Sequence, residues 1–274
     1  MEVVQTTKSQ LLGTTPIDTI MSWGVSEFIA TSFKDMPTLM FHEAIYLPPF
    51  YHSECGTAKR LLALMDASDN GKHPKFDLKT IEKESGVEYD EVQIAAIRQA
   101  VDSKVMVLTG GPGTGKTTTT QGIIVALKTA GLQILLAAPT GRAAKRMSEA
   151  TGMEAKTIHR LLEFNPADGY KRNDENPLEG DMLIVDECSM IDIILMNNLM
   201  KAIPLGMRLV FVGDIDQLPS VGAGNVLRDI IESQRIPVIR LTRIFRQAQS
   251  SRIVMSAHEC QATSAITGTS SFIT

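Results

Sequence analysis

A glycine-rich loop between an apolar run and an apolar-periodic segment is the feature that most limits how this chain can fold. The run Val105–Leu108 comes first, the loop reads Gly-Gly-Pro-Gly-Thr-Gly-Lys-Thr-Thr over residues 110–118, and Gly122–Leu127 follows. Glycines let a backbone wrap around an anion with its N–H groups pointing inward, and the start of a helix adds a favourable dipole. This strand–loop–helix context predicts a phosphate-binding loop and a nucleoside triphosphate as its ligand. The alternative, a turn that binds nothing, is disfavoured by the flanking elements.

The residue types within this loop suit the parts of a nucleotide. We expect Lys116 to reach the β- and γ-phosphates and the Thr117 hydroxyl to bind Mg²⁺. The nucleotide-binding residues predicted in the loop are Gly111, Pro112, Gly113, Thr114, Gly115, Lys116, Thr117 and Thr118.

Apolar runs alternate with amphipathic segments between residues 89 and 258. The pattern predicts an α/β domain, a mostly parallel sheet with helices on both faces. The predicted strands are Val105–Leu108, Gln133–Ala137, Met182–Val185, Arg208–Val212 and Pro237–Arg240. The predicted helices are Thr117–Ala130, Arg142–Thr151, Thr157–Glu163, Ile191–Ala202 and Asn225–Ser233.

The two ends of the chain differ from this central region. Residues 1–88 are mixed in character, with an amphipathic stretch near Ala58–Met65, and predict a small, mainly helical segment that is part of a preceding domain. Residues 259–274 predict a disordered or atypical tail. From Gln261 onwards the chain has no charged residue, and half of its residues are Ser or Thr.

Overall composition excludes several classes of protein. The formal net charge is −4, so any nucleic-acid binding must come from local patches and not from a general basic field. Cys55, Cys188 and Cys260 are far apart, which indicates neither a zinc site nor a disulfide framework. We find no signal-peptide pattern and no apolar stretch of about 20 residues, so we expect a soluble, cytoplasmic protein without a membrane partner.

Two carboxylates follow the apolar run Met182–Val185. At the end of a strand Asp186 can hold Mg²⁺, directly or through water, and Glu187 can orient and deprotonate an attacking water molecule. Acidic residues at strand ends are common, so the pair alone is weak evidence. Downstream of a phosphate loop it favours a hydrolase over a nucleotide carrier.

A second apolar run, Val210–Val212, leads into the polar loop Gly213–Pro219. Within this loop Gln217 could contact the γ-phosphate and report its loss to residues 220–224. The alternative is a surface turn, because glycine, aspartate and proline all favour turns. The pattern alone supports both interpretations equally.

The order of these segments resembles that of superfamily 1 helicases, in which residues 110–118, Asp186-Glu187, Gly213–Pro219 and Leu241–Gln247 find counterparts. Three segments resemble the RecD-like, 5′-to-3′ branch in their amino-acid sequence: Ala138–Lys145, Thr157–Leu162 and Leu218–Val226. The segment Ala44–Tyr51 resembles the helical lead-in of that branch. The resemblance covers roughly residues 85–258. It implies a RecA-like P-loop NTPase fold and an ATP-dependent DNA helicase.

The resemblance also implies roles for residues whose own pattern is not informative. Gln93 matches a glutamine that reads the edge of adenine, which implies ATP as the cofactor together with Mg²⁺. On its pattern alone Gln93 could be a surface residue of an amphipathic helix. Arg246 matches an arginine placed against the γ-phosphate, where it would neutralise developing charge. With Lys116, Glu187 and Gln217 it completes the implied catalytic set.

Single-stranded DNA is the partner that the resemblance implies. The DNA-binding residues implied are Pro139, Thr140, Gly141, Arg142, Thr157 and His159. We expect His159 to be a contact residue without a chemical role, since a histidine at the start of a helix is commonly a packing residue.

The charge pattern agrees in part with DNA binding. Phosphate contacts by clustered basic residues would give affinity that depends on salt and not on base sequence. For Lys145 and Arg146 a solvated helix face is an equally good interpretation. The cluster comprises Arg142, Lys145, Arg146, Lys156 and Arg160.

The chain departs from the family pattern after His258. A second RecA-like lobe, whose arginine finger is worth about 10³–10⁵ in turnover, is missing from this sequence. We therefore expect the chain alone to bind ATP–Mg²⁺, to hydrolyse it poorly and not to translocate. A truncated or frame-shifted gene and a natural short form both remain open, as does the oligomeric state.

Three functions compete at this point. The first is the motor lobe of a RecD-like helicase. The second is a non-hydrolysing, ATP-dependent module that binds DNA or a partner protein. The third and weakest is another P-loop ATPase, such as an AAA+ protein, for which a ring-shaped oligomer would be the sign.

Overall fold

A six-stranded parallel sheet organises the residues that the computed structural model describes, which are 39–41, 44–67, 75–218 and 220–245. Its strand order is β10-β3-β9-β8-β4-β5, and every neighbouring pair is parallel. Two short antiparallel pairs, β1–β2 and β6–β7, accompany it. The strands are β1 (Leu39–Phe41), β2 (Ala44–Tyr46), β3 (Val105–Gly110), β4 (Ile134–Ala138), β5 (Ala155–Thr157), β6 (Phe164–Asn165), β7 (Gly169–Tyr170), β8 (Met182–Val185), β9 (Arg208–Gly213) and β10 (Val238–Leu241).

Eight α-helices and one 3₁₀ turn (Cys188–Met190) lie within the described ranges. None of these helices is both long and apolar enough to cross a membrane. The helices are α1 (Pro48–Asp66), α2 (Leu78–Ser85), α3 (Glu91–Asp102), α4 (Lys116–Thr129), α5 (Gly141–Thr151), α6 (Ile158–Leu161), α7 (Ile193–Ala202) and α8 (Val226–Glu232).

Helices cover both faces of the sheet, so the predicted α/β, RecA-like fold class is confirmed. Successive residues of a strand point to opposite faces, and β3 shows this directly. Val105 and Val107 join the core beneath α1, α6, α7 and α8, whereas Met106 and Leu108 join the core beneath α2, α3 and α4. Every residue of β3, β8 and β9 is buried, as expected for central strands covered on both sides.

The predicted strands match five of the six sheet strands to within two residues, but β5 was missed. Its sequence, Ala-Lys-Thr, is short, half-buried and lacks an apolar run, so it gives no periodic signal. It occupies the edge of the sheet beside β4. The predicted helix Thr157–Glu163 is therefore shorter in the structure, where Thr157 ends β5 and only Ile158–Leu161 is helical.

The helix predicted over Ile191–Ala202 begins later, at Ile193. Oδ1 of Asp192 accepts a hydrogen bond from the Leu195 N–H at 2.8 Å and so caps the first turn. The residues just before it form the 3₁₀ turn that follows β8.

Helices α1 and α2 agree with the predicted helical character of the N-terminal segment. Leu61 and Leu64 of α1 belong to one core of the sheet, and Ile81 of α2 belongs to the other. The predicted boundary after residue 88 remains a prediction, and these helices pack on the central domain. Residues 1–38 and the predicted tail, 259–274, lie outside the described residues.

Candidate functional site

The predicted phosphate loop connects β3 to α4 at the carboxyl edge of the sheet, where parallel α/β proteins commonly bind ligands. Residues 111–115 form the loop, and Lys116, Thr117 and Thr118 begin α4. Gly113 and Gly115 have φ angles of +76° and +88°, in the left-handed region that favours glycine. The Thr114 hydroxyl donates to the Gly111 carbonyl oxygen at 2.8 Å, which closes the loop on itself.

Lys116 lies inside this loop. Its ammonium donates to the carbonyl oxygens of Gly110 and, at 3.0 Å, of Gly111. Burial lowers the pKa of Lys116, and the nearby carboxylates of Asp214, Glu187 and Asp186 act in the opposite direction. Lys116 is thus surrounded by the negative groups that the sequence analysis placed in the site, with Asp214 added to them.

Asp186 directly follows β8, which pairs with β9, the strand that Asp214 follows. The Asp186 N–H donates to the Ala137 carbonyl oxygen at 2.9 Å, and its Oδ1 accepts from the Glu187 N–H at 2.8 Å. Burial raises the pKa of Asp186, while the hydrogen bond from the Glu187 N–H opposes this shift. A half-buried carboxylate whose oxygens face a phosphate site is a suitable ligand for a divalent cation.

Asp214 follows β9 and is 1% exposed. Its Oδ1 accepts from the Asp216 N–H at 3.0 Å, and its Oδ2 is buried without a hydrogen-bond partner. Burial raises the pKa of Asp214, and the Asp216 N–H and Lys116 lower it. Sequence reasoning missed this residue, although it follows an apolar run just as Asp186 does.

The oxygen-bearing side chains of this site suit Mg²⁺ as a ligand set. This ion is commonly bound by one or two carboxylates together with substrate phosphates. The Thr117 side chain is exposed in the first turn of α4, and Asp186 is half-buried just after β8. Asp186 and Thr117 are the residues that would hold the ion, and the unpartnered Oδ2 of Asp214 adds a nearby acceptor.

Glu187 forms an ion pair across two neighbouring strands. Its Oε1 accepts from Nη2 of Arg146 at 2.7 Å. Arg146 belongs to α5, which follows β4, and β4 pairs with β8. The φ angle of Glu187 is +53°, so a non-glycine residue occupies the left-handed region at the point where β8 ends. Sequence reasoning placed Arg146 only in a basic cluster and did not pair it with Glu187.

Gln93 is buried, with 1% of its surface exposed, and is therefore not a surface residue of α3. It forms a capping box with Asp90. The Gln93 N–H donates to Asp90 Oδ1 at 2.8 Å, and the Asp90 N–H donates to Gln93 Oε1 at 3.1 Å. A Cβ atom on Gly115 would lie 2.6 Å from Gln93 Nε2, so this amide packs directly against the phosphate loop.

The segment after β10 also lies against the loop. The Phe245 N–H donates to the Gly113 carbonyl oxygen at 3.3 Å, and a Cβ atom on Gly115 would lie 2.9 Å from the Phe245 ring. Phe245 was not among the predicted site residues. The next residue, Arg246, which was predicted to be catalytic, lies outside the described residues.

Gln217 occupies a turn after β9. Its N–H donates to the Asp214 carbonyl oxygen at 3.2 Å, and its side chain is exposed. This turn agrees with the alternative interpretation of Gly213–Pro219. The catalytic role of Gln217 stays a prediction. Leu218, in the same loop, and Val221, in the segment 220–224 that follows it, are also exposed.

The predicted DNA-binding residues lie at the carboxyl ends of the paired strands β4 and β5, where Ala138 lies opposite Thr157. Pro139 leads from β4 to Thr140, whose hydroxyl oxygen caps α5 by accepting from the Ala143 N–H at 3.2 Å. Gly141 and Arg142 are exposed in the first turn of α5.

Thr157 and His159 have local packing partners. The Thr157 hydroxyl oxygen caps α6 by accepting from the Arg160 N–H at 3.2 Å. The exposed His159 ring lies 5.6 Å, edge-on, from Phe164 and 6.0 Å from Tyr170, which belong to the β6–β7 hairpin. The structure thus brings the predicted DNA-binding residues to one end of the sheet edge and the predicted nucleotide residues to its centre.

Comparisons of this chain with known proteins found similar sequences and structures. A family model described as an AAA domain matches residues 93–223. The ATP-dependent RecD2 DNA helicase of Deinococcus radiodurans is 41% identical over 217 residues, which make up 78% of this chain and 29% of that protein. The RecBCD enzyme subunit RecD of Mycolicibacterium smegmatis is 37% identical over 218 residues, covering 70% of this chain and 38% of that protein. A crystal structure of the Pif1 helicase from Candida albicans aligns with a TM-score of 0.45 and 26% identity, over 62% of this chain and 43% of that chain.

The chain spans 29% and 38% of the length of these two curated relatives. The matched part includes the phosphate loop and the carboxylates that follow β8 and β9, since the family model extends from Gln93 to Ala223. The sequence matches, which cover 78% and 70% of this chain, show that it resembles the RecD-like helicases.

Proposed function

We propose that this chain is the ATP-binding motor lobe of a RecD-like DNA helicase, which hydrolyses ATP–Mg²⁺ to drive movement along single-stranded DNA in the 5′-to-3′ direction. The observation that supports this proposal best is the placement of Lys116 among Asp186, Glu187 and Asp214 at the carboxyl end of the sheet. Such a set of one ammonium and several carboxylates beside a glycine loop suits phosphoryl transfer.

In this proposal the loop N–H groups and Lys116 bind the phosphates of ATP. Lys116 would exchange its hydrogen bonds to the loop carbonyls for phosphate oxygens, which its flexible, threefold donor group allows. Mg²⁺, held by Thr117 and Asp186, would neutralise charge on the phosphates.

Glu187 is the proposed general base, which would accept a proton from the attacking water. Gln217 and Arg246 are proposed to contact the γ-phosphate, as the resemblance implies. Gln93 is proposed to recognise adenine through its amide, which packs on Gly115. Because Gln93 Oε1 already accepts a hydrogen bond from the Asp90 N–H, Nε2 is the side-chain atom with more hydrogen-bonding capacity left for adenine.

Single-stranded DNA is proposed to lie along the outer part of the carboxyl edge, against Pro139–Arg142, Thr157 and His159. Arg142 and the neighbouring basic side chains would contact its phosphates. Contacts of this kind predict affinity that falls as salt concentration rises, with little dependence on base sequence.

The first test is nucleotide binding by the purified chain, measured with a fluorescent ATP analogue and Mg²⁺. The parent chain should bind, and Lys116→Ala should weaken binding by at least about tenfold, since a charge-assisted contact is lost. Failure of the parent chain to bind nucleotide would contradict the proposal.

The second test is ATP turnover with and without oligothymidylate. Turnover that rises with DNA and disappears in Glu187→Gln would support the motor, and unchanged turnover in Glu187→Gln would exclude Glu187 as the base. Nucleotide binding with no turnover in any sample would favour the alternative, a non-hydrolysing ATP-dependent binding module. Unwinding of partial duplexes with a 5′ tail but not a 3′ tail tests the direction.

A further inference from the structure

We propose that Arg146 is a positioning residue that holds Glu187 in an ion pair, and that a phosphate of single-stranded DNA competes with Glu187 for Arg146. This inference rests on the proposed function, because it requires Glu187 as the base and DNA beside the start of α5. Arg146 would thereby link the predicted DNA-binding residues at one end of the sheet edge to the predicted nucleotide residues at its centre.

The ion pair engages Glu187 at a single oxygen. Nη2 of Arg146 donates to Oε1 at 2.7 Å, within the range of a charge-assisted hydrogen bond. The Glu187 side chain is only 18% exposed, and its backbone is held in the left-handed region. Glu187 is therefore confined, and the position of its carboxylate depends on the partner that it finds.

Arg146, in contrast, is accessible. Its side chain is 60% exposed, although its guanidinium contacts Glu187. It lies four residues after Arg142, so that both arginines share one face of α5. Arg142 is exposed in the first turn of this helix, directly after the proposed DNA-binding residues Thr140 and Gly141.

A DNA phosphate is a strong competitor for this guanidinium. The planar group presents several N–H donors and pairs with two oxygens of one phosphate, whereas Glu187 offers it a single contact here. A strand that follows α5 from Arg142 towards Arg146 would therefore draw Arg146 away from Glu187.

The consequence is a coupling between DNA and ATP. While Oε1 of Glu187 accepts from Arg146, the carboxylate is held in the orientation set by this ion pair, and only Oε2 remains to accept a proton from water. Release of Arg146 to a phosphate leaves the carboxylate available for the general-base role. Because coupling between two sites is reciprocal, loss of the Glu187 charge must in turn strengthen DNA binding through Arg146.

This reciprocity allows a test that needs no hydrolysis. Fluorescent oligothymidylate is titrated with the full chain, without nucleotide, at low ionic strength. Glu187→Gln should tighten binding by about two- to fivefold, the range that corresponds to one partly exposed ion pair. The same substitution in an Arg146→Ala background should give no gain, since the competition has been removed.

Two further variants separate this effect from general electrostatics. Glu149→Gln removes a carboxylate from α5 itself, where Glu149 pairs with Lys145 at 3.8 Å. Any gain in DNA affinity from Glu149→Gln should be the same in the parent and Arg146→Ala backgrounds. Arg142→Ala should weaken DNA binding equally in the parent and Glu187→Gln backgrounds. Circular dichroism melts verify that each variant is folded.

The outcomes are distinct. A gain from Glu187→Gln that disappears in Arg146→Ala supports the inference. If the parent chain binds DNA, two results overturn the inference and leave the proposed function intact. One is an equal gain in DNA affinity from Glu187→Gln in the parent and Arg146→Ala backgrounds, and the other is no gain in either background. If neither the parent chain nor Glu187→Gln binds DNA, the proposed function fails and the inference fails with it.

Discussion

Gln93 and Gly115 are in direct contact, so that a Cβ atom on Gly115 would lie 2.6 Å from Gln93 Nε2. The contact joins α3 to the phosphate loop. It leaves no room for a side chain at the residue that precedes Lys116, and the Phe245 ring, 2.9 Å from the same added Cβ atom, also fills this space. The conformation of the loop therefore depends on packing partners from both flanks.

We predict that Gly115→Ala weakens nucleotide binding by at least about tenfold. Alanine would be strained at a φ angle of +88° and would collide with Gln93, so the loop would have to move. The measurement is the dissociation constant of a fluorescent ATP analogue.

Gly131→Ala is the matched control for Gly115→Ala. Gly131 has a φ angle of +74°, but no atom lies within 4 Å of the added Cβ, and the residue follows the opposite end of α4. It carries the same type of backbone strain without the collision. Nucleotide affinity equal in the two variants would contradict the importance of the Gln93 contact.

We predict that Asp90→Ala lowers the free energy of unfolding by about 0.5–2 kcal/mol, the usual cost of losing an N-cap side chain. Asp90 Oδ1 accepts from the Gln93 N–H at 2.8 Å, and alanine would leave this backbone N–H beside the phosphate loop without its cap. Urea unfolding gives the stability, and nucleotide titration shows whether the adenine-side affinity falls as well. Glu91→Gln, which removes a charge from the same turn but no cap, should cost less; a larger loss in Glu91→Gln would be evidence against the capping role.

We predict that Arg208→Met destabilises the protein by about 2–4 kcal/mol, because buried carbonyl oxygens would lose a charged donor. Arg208 is 4% exposed at the start of β9, and its Nη1 donates to the carbonyl oxygens of Val101 at 2.7 Å and Ser103 at 3.1 Å. These oxygens lie at the carboxyl end of α3, where a cation is also favoured by the helix dipole. Arg208→Lys keeps the charge and should lose less stability. Urea midpoints that match the parent in Arg208→Met would refute the prediction.

Glu54 predicts a pH dependence of stability. Burial, with a smaller contribution from the negative charge of Asp229, raises the pKa of Glu54 from 4.5 to about 7. The folded protein therefore binds this proton more tightly than the unfolded chain does. The resulting stability is fully present below pH 4.5 and is lost as pH rises through about 7.

Glu54→Gln should remove this dependence, because the amide stays neutral. At pH 8 we expect the variant to exceed the parent in free energy of unfolding by about 1–2 kcal/mol, a value reduced from the full pKa shift because the group is partly exposed. At pH 4 the two should be nearly equal. Urea unfolding at both values, with the exposed Glu88→Gln as control, measures the difference. The prediction is wrong if the free energy of unfolding of the parent chain does not fall, relative to that of Glu54→Gln, between pH 5 and 8.

Much of the fold was predictable because its signals are local. Strands such as β8 and β9 are continuous apolar runs, and the glycine spacing of residues 110–118 specifies a loop whatever lies around it. Strand β5 gave no such signal, because an edge strand of three half-buried residues is held by its pairing with β4 and not by its own hydrophobicity.

The candidate site was predictable in its parts but not in its contacts. Lys116 and Asp186 were recognised because each follows an apolar strand in a short pattern. The burial of Gln93 was not recognised, since a glutamine near the start of an amphipathic helix looks solvent-exposed until the phosphate loop is packed against it. The pattern likewise favoured neither interpretation of Gln217, whose turn and exposed side chain the structure describes.

By itself, the sequence determined the fold class, the phosphate loop and the carboxylates at the strand ends, because apolar periodicity and glycine spacing act over a few residues. Only the tertiary structure decided that Arg146 meets Glu187 and that Phe245 meets Gly113. These partners are distant along the chain. They meet because the strand order places β4 beside β8 and β10 beside β3, and that order is set by the packing of the whole sheet.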